Sequence, residues 1–383
     1  MRGSRSGSIT SRGVLLAACL AGAVLPAAAS ASSADSEPAI RVLLREGRRE
    51  VTLTQPASGR VIASVSAEPG PVLRVDGRRV ESRWRLEDHA GPVEVDGIAV
   101  RGTVEVMAVR QPGGAPSLAV VNELPLESYL AGTLAREMYA SWGPEALRAQ
   151  AVASRTYALQ QRAEHRGRAW HVSAGTRSQV YAGIDAECPA VRAALDATRG
   201  EVLAYRGEPI LAAFHSSSGG RTASAEEVWG EARDYLVSVE VAGDSDSPDS
   251  YWRASVSRTT LGRALAAVAE DVGVVLRARV TELSESERVT RIEFVGEKGS
   301  VELTGRRLRS ALGESILKST LFEVQETAEG FLFVGAGSGH GVGMSQWGAR
   351  AMARRGDDYR KILSAFYPGA QLTKPDSETR GVQ

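Results

Sequence analysis

The chain has 383 residues, with 46 basic and 46 acidic side chains, so it is neutral overall. That balance argues against nucleic acid or an anionic membrane surface as the main partner. The length suits two domains, or one large domain carrying an insertion. At the N-terminus, Arg2, Arg5 and Arg12 precede an apolar run from about Val14 to Ala29, and small residues follow to Ser32. This pattern predicts a secretory signal over residues 1–31, and with it export to the periplasm or cell envelope. Leu16-Ala-Ala-Cys19 also has the form of a lipobox, so lipidation at Cys19 is the alternative. No later apolar run is long enough to span a bilayer. With the signal removed, Cys188 has no partner for an internal disulfide and reads as a small, partly buried side chain.

Residues 32–38 form a polar linker. From 39 to 117 the pattern is mostly period two, as in Arg41-Val-Leu-Leu-Arg, Val51-Thr-Leu-Thr and Thr103-Val-Glu-Val-Met-Ala-Val, with Gly, Pro and Asp between the runs. That predicts a β-rich N-terminal region. A mixed helix–strand core follows over 118–250, beginning with helices at about 125–139 and 144–165, the second started by Pro144. Glu201–Tyr205 and Ile210–Phe214 read as a hairpin around Arg206-Gly207, and Asp244–Ser250 as a solvated loop. Residues 251–327 alternate helix and strand and look like an inserted lobe. The core resumes over 328–372 with a glycine-rich turn and a helix from Ser345 to about Arg355. The tail, 373–383, is polar and expected to be loose. The predicted fold class is therefore α/β (α+β).

Leu126, Leu130, Thr133 and Glu137 share one stripe of the first predicted helix. The stripe is otherwise apolar, so Glu137 faces the interior or a cleft. Desolvation raises the pKa of such a carboxyl and lets it hold a proton for delivery to a leaving oxygen. The alternative is a structural ion pair, with Arg155 as the natural partner. Arg155 lies within a helix of small residues and needs an anion: Glu137, another carboxylate or a substrate acid. Glu127 and Glu145 read as exposed, so no paired acids are evident. The loop His215-Ser-Ser-Ser-Gly-Gly220 offers hydroxyls and backbone N–H groups able to cradle an anion, or is simply a tight turn. In Gly339-His-Gly-Val-Gly-Met-Ser-Gln-Trp-Gly348, His340 can move a proton, Gln346 can form paired hydrogen bonds and Trp347 can stack on a sugar. Gly343-Met-Ser-Gln-Trp347 fails the nucleophile elbow at its last position. The five histidines are scattered and no HExxH motif occurs, although His171, His215 and His340 could converge in space.

Together these segments resemble the stage II sporulation protein D and amidase enhancer LytB (SpoIID/LytB) family. The resemblance runs from about Leu118 to Leu372. It is carried by Asn122–Gly132, Arg136-Glu-Met, Glu145–Leu159, Gln179-Val-Tyr-Ala-Gly, Phe214–Thr222, Gly339–Ala349 and Phe366-Tyr-Pro-Gly. It implies an exported protein acting on peptidoglycan glycan strands. Sporulation members are lytic transglycosylases that cut peptide-stripped strands between N-acetylmuramic acid and N-acetylglucosamine. The catalytic acid of their Glu-Met motif corresponds to Glu137. Arg155, Tyr157, His215, Ser216, Ser217, Gly219, Gly220, His340, Ser345, Gln346 and Trp347 are then expected to position the glycan. The other half of the family name implies a non-catalytic wall-binding role as enhancer of a cell-wall amidase.

Two departures stand out. The usual Met-Pro after the acid is Met138-Tyr139 here. Some members bind zinc through a histidine and two cysteines before Gln-Val-Tyr; His171 is present, but no cysteine lies between it and Tyr181. No metal or other cofactor is expected.

Overall fold

The structure, a computed structural model, describes residues 37–374 except 88, 112, 176 and 177. The expected signal, Cys19, most of the linker and nearly all of the tail lie outside the described residues. Strands and helices are mixed, with strands concentrated at the N-terminal end.

That end is built from two sheets. One has the strand order Val172–Ser173, Ala39–Arg48, Pro116–Pro125, Thr103–Arg110, Arg83–Leu86. The other runs Arg78–Val80, Val72–Val75, Val61–Glu68, Glu50–Thr54, Val93–Val95, Ile98–Val100. Alternation sets the inner faces. Val51 and Leu53 are buried while Glu50 and Thr52 are exposed, and Val104, Val106, Leu118 and Val120 join them in one core. Asp76-Gly77 and Asp96-Gly97 close two of the hairpins with positive φ at both residues, the turn that matches strand twist. Arg206-Gly207 closes a third in the same way, but its strands are only Val202–Tyr205 and Glu208–Pro209. Residues 210–213 leave the hairpin and run toward the short strand Phe214–His215.

The predicted first helix is two helices, α1 (Leu126–Ala131) and α2 (Leu134–Glu137). The chain breaks at Gly132, which packs so closely on Tyr181 that a Cβ there would lie 2.6 Å from the ring. Helix α3 (Pro144–Glu164) begins at the expected proline, and its alanines are buried on several sides. Helix α4 (Pro189–Ala197), which follows the free, half-buried Cys188, packs against it. Helix α5 (Ala225–Trp229) starts with a reciprocal cap between Ser224 and Glu227.

The next segment has its own hydrophobic core, from Trp252 to Phe333. The strands Trp252–Ser257, Gly330–Gly335 and Phe322–Glu326 form one sheet. A second consists of Val275–Leu283, Val289–Gly296 and Gly299–Thr304, covered by α6 (Arg258–Val268) and α7 (Gly305–Leu312). The chain then returns to the main core through α8 (Gln346–Arg354), capped by Ser345, and α9 (Tyr359–Phe366). Both pack on α3. No helix among the described residues is long and apolar enough to cross a membrane.

Candidate active site around Glu137

Helix α2 is a single turn, ended by the extended Met138. Leu134 and Met138 are buried on either side of Glu137 and fix its backbone. The side chain is mostly buried, and Oε1 accepts the backbone N–H of Val180. Burial pushes the carboxyl up from 4.5 to about 7, against the opposing pull of that N–H. At neutral pH a substantial share is therefore protonated, the condition a general acid needs.

A polar network lies behind the acid. Gln346 Nε2 donates to the Glu137 carbonyl at 2.8 Å and to Gln150 Oε1 at 3.2 Å. Gln150 donates to Ser154 Oγ, and the Tyr129 hydroxyl donates to Gln179 Oε1 at 2.9 Å. Tyr157 shares this neighbourhood: burial raises its pKa, the Ser178 hydroxyl counters this, and the charge of Glu137 adds to the rise. Next to the acid in sequence begins an aromatic shelf. Tyr139 is 66% exposed and its ring centroid lies 5.3 Å from that of Trp142, which lies 4.7 Å from Trp347. The Arg350 guanidinium sits 4.7 Å from the Trp347 ring centroid.

The residues expected to position a ligand divide into two groups. Trp347 is joined to Ser216, because its N–H donates to the Ser216 carbonyl at 3.0 Å. With Gln346 on the Glu137 carbonyl, this brings the serine loop, the glycine-rich turn and the acid together. Other side chains have protein partners instead. Arg155 does not meet Glu137. It is 1% exposed and makes paired bonds of 2.7 and 2.9 Å to Glu127, with a further bond to the Glu201 carbonyl. Glu127 is correspondingly not the exposed helix residue expected, its side chain being 12% exposed. Glu145 is also engaged, accepting from Arg148 and from the Tyr359 N–H.

The serine loop does cradle an anion, but the anion belongs to the protein. Asp244 Oδ2 accepts the N–H groups of Ser218 and Gly219 and the Ser218 hydroxyl, while Oδ1 accepts the Ser345 hydroxyl at 3.0 Å. Asp244 is buried, so the segment read as a solvated loop begins with an anchor. Ser345 also caps α8 through the Gly348 N–H. Ser217 is held by backbone bonds to Ser338, and its buried hydroxyl has no partner. Gly220 is exposed, with open space where a side chain would be.

The His215 and His340 rings meet at a tilt, with centroids 5.5 Å apart. His340 accepts the Val342 N–H on Nδ1 and donates from Nε2 to the Phe214 carbonyl, which fixes the neutral tautomer. Burial lowers its pKa to about 4. His215 also stays neutral by burial, using Nδ1 on the Val342 carbonyl. His171 does not join them; it accepts the Arg41 N–H at the edge of the N-terminal sheet. Among the described residues no three His, Cys, Asp or Glu side chains are grouped to hold a metal ion.

Sequence reasoning missed Tyr139 and Trp142 as a shelf, Gln150 and Tyr129 behind the acid, and Asp244. Tyr139 had a signal, since it stands where the resemblance leads one to expect proline. Asp244 had none, because its neighbours are serines, aspartates and a proline.

Comparison with known proteins places the chain. A family model for stage II sporulation proteins matches residues 115–205, and one for a domain of unknown function matches residues 223–343. The stage II sporulation protein D of Bacillus subtilis is 30% identical over 277 residues, covering 67% of this chain and 77% of the relative. The chain belongs to the SpoIID/LytB family. An uncharacterized protein of Brachyspira hyodysenteriae is 34% identical over 257 residues, 67% of this chain and 68% of that one. The amidase enhancer of Bacillus subtilis is 31% identical over 293 residues, 64% of this chain but 40% of the relative. The matched sporulation segment contains α1 to α4, and so holds both Glu137 and the Glu127–Arg155 pair.

Proposed function

We propose that this protein is an exported lytic transglycosylase of peptidoglycan, with Glu137 as general acid and peptide-stripped glycan strands as substrate. The observation that carries the reading is the position of Glu137. It is a mostly buried carboxyl, pushed to about 7 by burial, two residues from the exposed ring of Tyr139. Glu137 gives its proton to the oxygen bridging muramic acid to glucosamine as the C1–O bond breaks. The 6-hydroxyl oxygen of the muramic acid closes onto C1 and its proton passes to the Glu137 carboxylate. The acid is regenerated and the product is a 1,6-anhydro end. Water is not consumed, so no second carboxylate is required, unlike most glycosidases. The exposed Tyr139 ring presents an apolar face on which a sugar ring packs, and the open backbone at Gly220 admits the strand closely.

The amidase enhancer among the relatives supports a second reading, in which the same site binds wall glycan and assists a separate cell-wall amidase. Incubation with peptide-stripped strands, followed by mass spectrometry, separates the two. Anhydro-muramyl ends that disappear in Glu137→Gln support cleavage. Binding without new ends, accompanied by faster turnover of an added amidase, supports the enhancer role.

A further inference from the structure

Arg288 is an anomaly. It is 2% exposed, yet its Nε and Nη1 have no hydrogen-bond partner; only Nη2 donates, to the Ser218 and Arg221 carbonyls. A guanidinium removed from water is costly unless its donors meet an anion or acceptors. The carboxylates that favour its charge, Glu227 and Asp244, are bonded elsewhere: Glu227 to the Ser286 N–H and hydroxyl and the Ser224 N–H, Asp244 to the serine loop. The guanidinium lies flat on Gly341, where a Cβ would stand 2.5 Å from Cζ, so it cannot turn away on that side.

Arg288 lines a cavity of about 270 Å³ between α5 and the second sheet of the inserted lobe. The same cavity contains Thr290, whose buried hydroxyl also lacks a partner. At its wall stands Arg306, an exposed cation with no ion pair among the described residues, at the first turn of α7. That turn is brought against the strand by Gly305, whose Cβ would lie 2.1 Å from the Val289 carbonyl. Helix N-termini favour anions. Of the remaining charges in the wall, Glu282 pairs with Arg291, which also bonds Glu302, and the Glu227 carboxylate is taken up by Ser224 and Ser286.

We propose that this cavity binds a single oxyanion, a carboxylate or phosphate group, held by Arg288, the Thr290 hydroxyl and Arg306. The site lies within the segment matched to a domain of unknown function. Two sources share the chemistry: the free lactyl carboxylate that a muramic acid exposes once its peptide is removed, and inorganic phosphate. The first source rests on the function proposed above; the second does not.

The test measures binding, not cleavage, in the full chain carrying Glu137→Gln, so a failure of the catalytic reading leaves it intact. Titration with inorganic phosphate at constant ionic strength is expected to saturate. Arg306→Ala and Thr290→Val should each weaken it about fivefold, the scale of one hydrogen bond or partly exposed ion pair. These two variants are used because Arg288→Met also removes the lobe's bonds to the serine loop and endangers folding. Peptide-stripped strands are compared with strands whose lactyl carboxyls have been amidated. Weaker binding after amidation, lost in Arg306→Ala and Thr290→Val, identifies the sugar acid as the source; a response to phosphate alone identifies the free anion. If neither probe distinguishes the parent from the two variants, the cavity is not an anion site.

Discussion

Glu137→Gln tests the site most directly, because the structure makes separate predictions for chemistry and for stability. The amide keeps the shape of the side chain and an oxygen for the Val180 N–H, but cannot supply a proton. Loss of general acid catalysis should lower cleavage by ~10²–10⁴-fold. Stability should move in the opposite direction. A carboxyl raised from 4.5 to about 7 prefers its neutral form in the folded protein by about 3 kcal/mol. Below pH 4.5 it is protonated in both states and favours neither. Between pH 4.5 and about 7 the unfolded chain releases the proton while the folded protein keeps it, so stability falls as pH rises. Above about 7 the full ~3 kcal/mol has been lost. The glutamine variant has no such loss. It should match the wild type in melting at pH 4 and exceed it by several degrees at pH 8. Wild-type cleavage should itself fall tenfold per pH unit above about 7, as the acid deprotonates. The assays are paired: anhydro-end formation, and thermal melting of both proteins at pH 4 and 8. Undiminished cleavage would refute the catalytic role. Equal melting differences at the two pH values would refute the claim that burial has raised the acid.

The ion pair expected of Glu137 belongs to Glu127, so Glu127→Ala should destabilise by about 3–5 kcal/mol by leaving Arg155 buried and uncompensated, as measured by urea unfolding. Asp244→Asn replaces one acceptor oxygen with an NH2 donor that faces donors and should cost on the order of 3 kcal/mol; limited proteolysis should then cut near residues 215–220 before the rest of the fold. His340, held neutral with its pKa lowered to about 4, should cost stability as pH falls from about 6.5 to 4, because only the unfolded chain takes up the proton. His340→Gln should flatten that limb in melting curves. This limb opposes the one from Glu137, so each shows clearly only against its own variant.

The mixed fold and the N-terminal sheets were legible because alternation and Asp-Gly turns are local signals. Pro144 likewise marked the start of α3. Glu137 was legible as a half-buried acid, but the continuous stripe that identified it does not exist. Gly132 breaks the helix, and the acid turns inward because Leu134 and Met138 anchor its short turn. Pairing was not legible. Nothing local distinguishes Glu127 from Glu137 as the partner of Arg155, since the choice depends on how α1 packs against α3. Asp244 was concealed by composition: a run of serines, aspartates and a proline looks solvated, and only the placement of the serine loop shows that one aspartate is enclosed.

These polar groups serve the protein's own architecture first. Most of the hydrogen-bonding side chains that the motifs supply do not face open space. Gln346 reaches across 209 sequence positions to hold the Glu137 carbonyl, and Asp244 joins the serine loop to the cap of α8. Trp347 is tied to Ser216 through its backbone. Each bond fixes the relative position of two distant segments before any ligand arrives. A glycosyl transfer within one sugar depends on holding the acid, the bridging oxygen and the 6-hydroxyl in line, and pre-set walls lower the entropy cost of doing so. On this view the motif residues shape the site through one another. In the proposed reaction, direct contact with the strand would fall to the Glu137 carboxyl, the exposed Tyr139 ring and the open backbone at Gly220.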